Sequence, residues 1–121
     1  MYNTRIMQYY HNKDHYGVIE HPDFAATRKN SACGDELSFS GCFVDGRITD
    51  IKFSGTGCMI SLACAALLAE KVHGMTTEQA RAFSVPEHLA LLGFSLGPQR
   101  TACALLALET LHEALQNVAH D

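Results

Sequence analysis

No run of lysine and arginine in this sequence is dense enough to follow a phosphate backbone. Nine basic residues face 13 acidic ones for a formal charge of −4, which argues against nucleic acid as a partner. No apolar run approaches the ~20 residues that a membrane-spanning helix needs; the longest, Met59 to Ala69, stops well short. Met1 to Tyr16 is polar and aromatic without a continuous apolar core, so no secretory signal is expected there. Internal repeats and low-complexity segments are also missing. What these absences leave is a single cytoplasmic domain over residues 1–121, a length sufficient to bury its own core. Neither composition nor pattern speaks to its oligomeric state, and a homo-oligomer stays open.

What is present is led by five cysteines, Cys33, Cys42, Cys58, Cys64 and Cys103. An odd number in a chain that is neither very short nor loop-rich favours reduced thiols over a disulfide framework. Cysteines in apolar or strand-like runs usually fill space, and Cys42 and Cys64 (inside Ala63 to Leu68) read that way. Cys33, Cys58 and Cys103 are expected at the ends of elements, where backbone amides point outward and solvent can enter, and there metal binding or thiol chemistry is the question.

Residues 1–30 read as an N-terminal arm, partly flexible. Tyr2, Ile6, Tyr9 and Tyr10 have weak helical spacing, suited to a docking helix, and Gly17 to Ala32 shows no period and is expected as loop. From Glu36 to Val44, Leu37, Phe39, Gly41 and Phe43 alternate with Glu36, Ser38, Ser40 and Cys42, the period of a half-buried strand. Asp45-Gly46 marks a tight hairpin. The return strand, Arg47 to Ser54, sets Thr49, Ile51 and Phe53 against Asp50 and Lys52, with Ile48 out of phase. After Gly55-Thr56-Gly57, Cys58 opens a run that is apolar on nearly every side up to Lys71, the pattern of a central buried helix ended by Gly74. Thr76 with Gln79 and Ser84 with Glu87 each fit a capping box for a short helix. Gly93 and Gly97-Pro98 interrupt before a last helix, about Thr101 to Ala119, with Leu105, Leu108, Leu111 and Leu115 on one face. The expected class is α+β, a small antiparallel sheet followed by helices.

Cys33-Gly34-Asp35 places a thiol and a carboxylate two residues apart, on one face if the backbone is extended, with Gly34 leaving room between them. Cys58 follows a glycine-flanked turn at a helix start, where the helix dipole favours a thiolate. Cys103 is expected in the first turn of the last helix, just past Arg100. The gaps of 25 residues from 33 to 58 and 45 from 58 to 103 match no short zinc motif. Spacing therefore leaves open both a shared metal site and three unrelated packing cysteines.

Three ordered runs carry a resemblance: Ser31-Ala32-Cys33-Gly34-Asp35, Gly55-Thr56-Gly57-Cys58-Met59-Ile60-Ser61 and Pro98-Gln99-Arg100-Thr101-Ala102-Cys103. In order and approximate spacing the chain resembles the iron-sulfur cluster assembly scaffolds of the IscU, SufU and NifU N-terminal type, from about Tyr2 to Leu115. The resemblance implies a three-stranded antiparallel sheet with four to five packed helices, and metal ligands Cys33, Asp35, Cys58 and Cys103. Tyr2 matches a tyrosine near the family's N-terminus. The implied function is that of a scaffold and not an enzyme: sulfur arrives from a cysteine desulfurase, a transient [2Fe-2S] cluster is built, and recipient apoproteins receive it, with Fe2+ or Zn2+ held at the same ligands. The alternative is a zinc-dependent sulfur-transfer partner of a desulfurase, with Cys103 as persulfide acceptor. Two departures bear on the subtype. Ala102 stands where IscU-like members carry histidine and SufU-like members usually lysine. Leu96-Gly97-Pro98-Gln99-Arg100 replaces a leucine-proline-proline-valine-lysine run, which argues against docking of the chaperone that reads it. The Gly-Cys-x-Ile-Ser run at Cys58 is SufU-like, yet the insertion of that type is absent.

Seven histidines complete the inventory. His11, His15 and His21 are the ones that could replace the ligand missing at 102, although loop histidines are usually only solvated. His73, His88, His112 and His120 are expected on helix surfaces.

Overall fold

The computed structural model describes residues 4–30, 34–93 and 96–116. Tyr2, Cys33, Ala119 and His120 lie outside them. The chain order is α1 (Thr4–His11), β1 (Phe24–Asn30), β2 (Asp35–Val44), β3 (Arg47–Thr56), α2 (Met59–Val72), α3 (Thr77–Arg81), α4 (Val85–Ala90) and α5 (Pro98–Gln116). The strands form one antiparallel sheet in the order β1-β2-β3. It is the α+β architecture expected from the pattern, with a third strand that the pattern did not reveal.

That strand corrects the reading of Gly17 to Ala32 as loop. β1 is an edge strand in which only Phe24 is fully buried, and Thr27, Arg28 and Lys29 are exposed. Exposure on most positions erases the alternation by which strands are recognised. Its anchor is an aromatic ring laid over a glycine: Phe24 pairs with Gly41, and a β-carbon at 41 would fall 2.1 Å from the ring.

The β2–β3 hairpin turns at Asp45-Gly46, both with positive φ (55° and 76°), the conformation in which a two-residue turn follows the twist of its strands. Phe43 pairs with Ile48 and Cys42 with Asp50, so Thr49 is an extra residue in β3. The bulge explains the out-of-phase Ile48. It flips the alternation, so that Ile48, Ile51 and Phe53 are buried while Thr49, expected inside, is exposed.

α2 is the central helix, buried from Ala63 through Ala69 and packed against α1, α5 and β3. Gly74, with φ +91°, follows the C-cap His73. Both capping boxes form, Thr76 with Gln79 and Ser84 with Glu87. α1 docks on α2 through the fully buried Ile6, and Tyr9 Oη donates to Glu70 Oε1 at 2.8 Å. α5 starts at Pro98, three residues earlier than expected, and crosses β1, β2 and α2. Among the described residues no helix is long and apolar enough to cross a membrane.

Candidate metal centre

The antiparallel register creates the site. Glu36 pairs with Thr56, so the residue that begins β2, Asp35, lies beside the turn that leaves β3, Gly57-Cys58. Two glycines permit this approach. A β-carbon at Gly55 would sit 2.1 Å from the Glu36 carbonyl oxygen, and one at Gly57 would sit 2.9 Å from Asp35 Cγ. Cys58 is the N-cap of α2, as its position after the glycine turn predicts. Its backbone N–H donates to Asp35 Oδ1 at 3.2 Å. α5 then crosses this corner and supplies Cys103.

Asp35, Cys58 and Cys103 each present one ligand atom within 4.8 Å of the other two. Asp35 and Cys103 are buried and Cys58 is half-buried. Two positions differ from expectation. Cys103 lies in the second turn of α5, because the helix begins at Pro98, and only 6 % of it is exposed. Gly34 has a left-handed φ of +77° and donates its N–H to Asn30 O at 2.8 Å, so the chain turns at Gly34 on its way into Asp35 where extended backbone was expected. Cys33, the fourth expected ligand, lies outside the described residues.

Sequence reasoning passed over Ser61. It is fully buried in the first turn of α2, and its Oγ donates to Asp35 Oδ2. The same oxygen is 3.5 Å from Cys58 Sγ and 3.3 Å from Cys103 O. A hydroxyl three residues past an N-cap cysteine is the signal that could have marked it. Cys64 is buried as a packing thiol, and burial, reinforced by neighbouring Cys58 and Cys103, pushes its pKa up to about 12. It stays protonated and inert at neutral pH. Cys42 is half-buried in β2.

No histidine enters the cluster of ligand atoms found among the described residues. His15 Nδ1 lies 3.1 Å from Ile51 O and its ring faces His73, whose Nε2 lies 3.0 Å from Thr49 O. His11 and His21 are exposed. His88 corrects the surface assignment: it is 1 % exposed, and Nε2–H donates to Ala104 O at 2.8 Å, fastening α4 to α5.

The donor set suits a soft or borderline cation. Thiolate sulfur and carboxylate oxygen are both zinc ligands, and thiolates hold iron-sulfur clusters. Sulfur ligands on a tetrahedral ion with ~2.3 Å bonds stand about 3.8 Å apart, so donors already within 4.8 Å need only a small closure.

The fold and site define a small α+β protein that gathers thiols and a carboxylate where its sheet meets its central helix. The chain belongs to the NifU-like N-terminal domain family, whose model matches residues 1–120, among the iron-sulfur cluster assembly scaffolds. It is 31 % identical to the iron-sulfur cluster assembly scaffold protein IscU of Thermotoga maritima, over 98 % of this chain and 95 % of that one. It is 26 % identical to the zinc-dependent sulfurtransferase SufU of Bacillus subtilis, over 95 % and 89 % of the respective chains. Among solved structures, the putative SUF-system scaffold from Fervidobacterium islandicum superposes with a TM-score of 0.81 at 29 % identity, covering 94 % of this chain and 96 % of that one.

Proposed function

We propose that this chain is a scaffold on which a [2Fe-2S] cluster is assembled and from which it is handed on, with Cys33, Asp35, Cys58 and Cys103 as its ligands. The observation that carries the reading is the convergence of Asp35, Cys58 and Cys103 within 4.8 Å from three separate elements. Family membership and the scaffold relatives support it. Sulfur comes from a cysteine desulfurase and the finished cluster passes to recipient apoproteins, in the cytoplasm; Fe2+ or Zn2+ occupies the same ligands in the absence of a cluster. A carboxylate oxygen is a harder and weaker partner for an iron-sulfide core than thiolate, which makes Asp35 the ligand that lets go.

Anaerobic reconstitution with ferrous iron and sulfide tests this. The expected product has a visible sulfur-to-iron chromophore and about two irons per chain, and Asp35→Ala slows transfer to a recipient while assembly persists. A product with neither the chromophore nor bound metal would remove the scaffold reading.

A second reading, zinc-dependent sulfur transfer, is favoured by the Gly57-Cys58-Met59-Ile60-Ser61 run and the SufU relative. Here the Cys103 thiolate attacks the outer sulfur of a donor persulfide, the donor S–S bond breaks, and the donor thiolate leaves. The balance is a sulfur exchange with no net oxidation. Its mark is a mass gain of one sulfur on the Cys103 peptide, with zinc retained and no cluster formed.

A further inference from the structure

We infer that Ser61 is the positioning residue for Asp35: its hydroxyl sets the carboxylate at the angle from which it shares an ion with Cys58 and Cys103. The inference rests on the metal-site reading above and adds a residue to it.

Ser61 is 0 % exposed, on a helix whose surroundings are almost wholly apolar. A buried hydroxyl in such surroundings is unfavourable unless it is hydrogen-bonded, and serines on helices commonly satisfy themselves on backbone groups within four residues. Ser61 instead reaches Asp35, 26 residues away at the start of β2. The hydroxyl has one proton and two acceptors in range, Asp35 Oδ2 and the Cys103 carbonyl at 3.3 Å. The closer, carboxylate contact takes the proton. The oxygen lone pairs are then left to face Cys58 Sγ at 3.5 Å. One side chain therefore touches Asp35, Cys58 and Cys103, the three residues whose ligand atoms converge among the described residues.

Its effect on Asp35 follows from which oxygens are held. The Cys58 N–H fixes Oδ1 and the Ser61 O–H fixes Oδ2, so rotation about the Cβ–Cγ bond is arrested. An ionised carboxylate has about four lone-pair sites, more than the Cys58 N–H and the Ser61 O–H occupy. Groups that orient a ligand in this way are typically worth about 10- to 100-fold in metal affinity. Ser61 thus acts through Asp35.

Cobalt(II) titration of the full chain, with a chelator as competitor, tests this in four proteins: wild type, Ser61→Ala, Asp35→Ala and the double variant. Ser61→Ala is expected to weaken cobalt binding about tenfold or more and to shift the ligand-field bands, while sulfur-to-cobalt charge transfer persists. In the Asp35→Ala background the same substitution should change nothing, since the group it orients is gone. Ser61→Thr, which retains the hydroxyl, should hold the affinity that its isostere Ser61→Val loses, and this pair serves if the alanine variant does not fold. Equal losses in both backgrounds, or no loss in any hydroxyl-free variant, would overturn the role of Ser61 while leaving the metal site standing. A wild-type chain that does not bind cobalt would overturn the metal-site reading itself.

Discussion

The α-carbon of Gly57 and the carboxyl of Asp35 are close enough that a single added methyl would collide: its β-carbon would lie 2.9 Å from Asp35 Cγ and 3.0 Å from Oδ1. Bare backbone at 57 is what allows the carboxylate to lie against the turn into Cys58. Gly57→Ala is therefore expected to displace the carboxylate and lower cobalt or zinc affinity. Gly57 is exposed and needs no positive φ, so the fold should survive with a stability change below about 1 kcal/mol. Chelator competition and thermal unfolding on the same variant separate the two effects.

Gly41 plays the matching part for the edge strand. The Phe24 ring covers it, and Gly41→Ala would bring a β-carbon within 2.1 Å of Phe24 Cζ. The ring must leave its buried seat, and overpacking of this kind typically destabilises by about 1–3 kcal/mol. Urea unfolding should show the loss, with hydrogen exchange accelerated first in Phe24–Asn30.

Cys64 should be the silent thiol. With its pKa pushed up to about 12 and 1 % of its surface exposed, it presents almost no thiolate at pH 8. Iodoacetamide followed by peptide mass analysis is expected to leave Cys64 unmodified in the native protein and to label it after denaturation. Cys64→Ala should bind metal like the wild type.

His88 predicts a pH dependence of stability. Burial holds its pKa below the ordinary 6.5, helped by neighbouring His112 and opposed by the bond to Ala104 O. The folded ring is neutral where the unfolded one already takes up a proton, so the unfolded chain binds more protons below about pH 6.5. The contribution of His88 is complete above that pH and declines as pH falls through it, by at most about 1.4 kcal/mol per pH unit. The decline ends once the folded ring protonates too. Denaturant midpoints from pH 7.5 to 5 check this, and His88→Gln, which keeps a donor toward Ala104 but does not titrate, should flatten the curve.

Local chemistry was legible without coordinates wherever a residue acts on its own neighbours. The Asp45-Gly46 turn, the Thr76 and Ser84 capping boxes, the glycine past α2 and the Cys58 N-cap all depend on φ angles and on amides within four residues, and each stood where its residues put it. The burial of α2 was equally plain, since an all-round apolar helix has only one stable place. β1 was not, because an edge strand satisfies its backbone from one neighbour and shows solvent the residues that would have betrayed it. The depth of Cys103 and the burial of His88 were likewise settled by partners far along the chain, and the Thr49 bulge by the pairing of β3 with β2 across the hairpin.

The ligand set itself divides along the same line. The sequence by itself determined which atoms were available, thiols and a carboxylate beside glycines that leave them room. Only the tertiary structure decided that Asp35, Cys58 and Cys103 converge, because strand register and the crossing of α5 over α2 are set by packing of the whole core. Ser61 became visible for that reason alone: its hydroxyl is unremarkable until the start of β2 is laid against it.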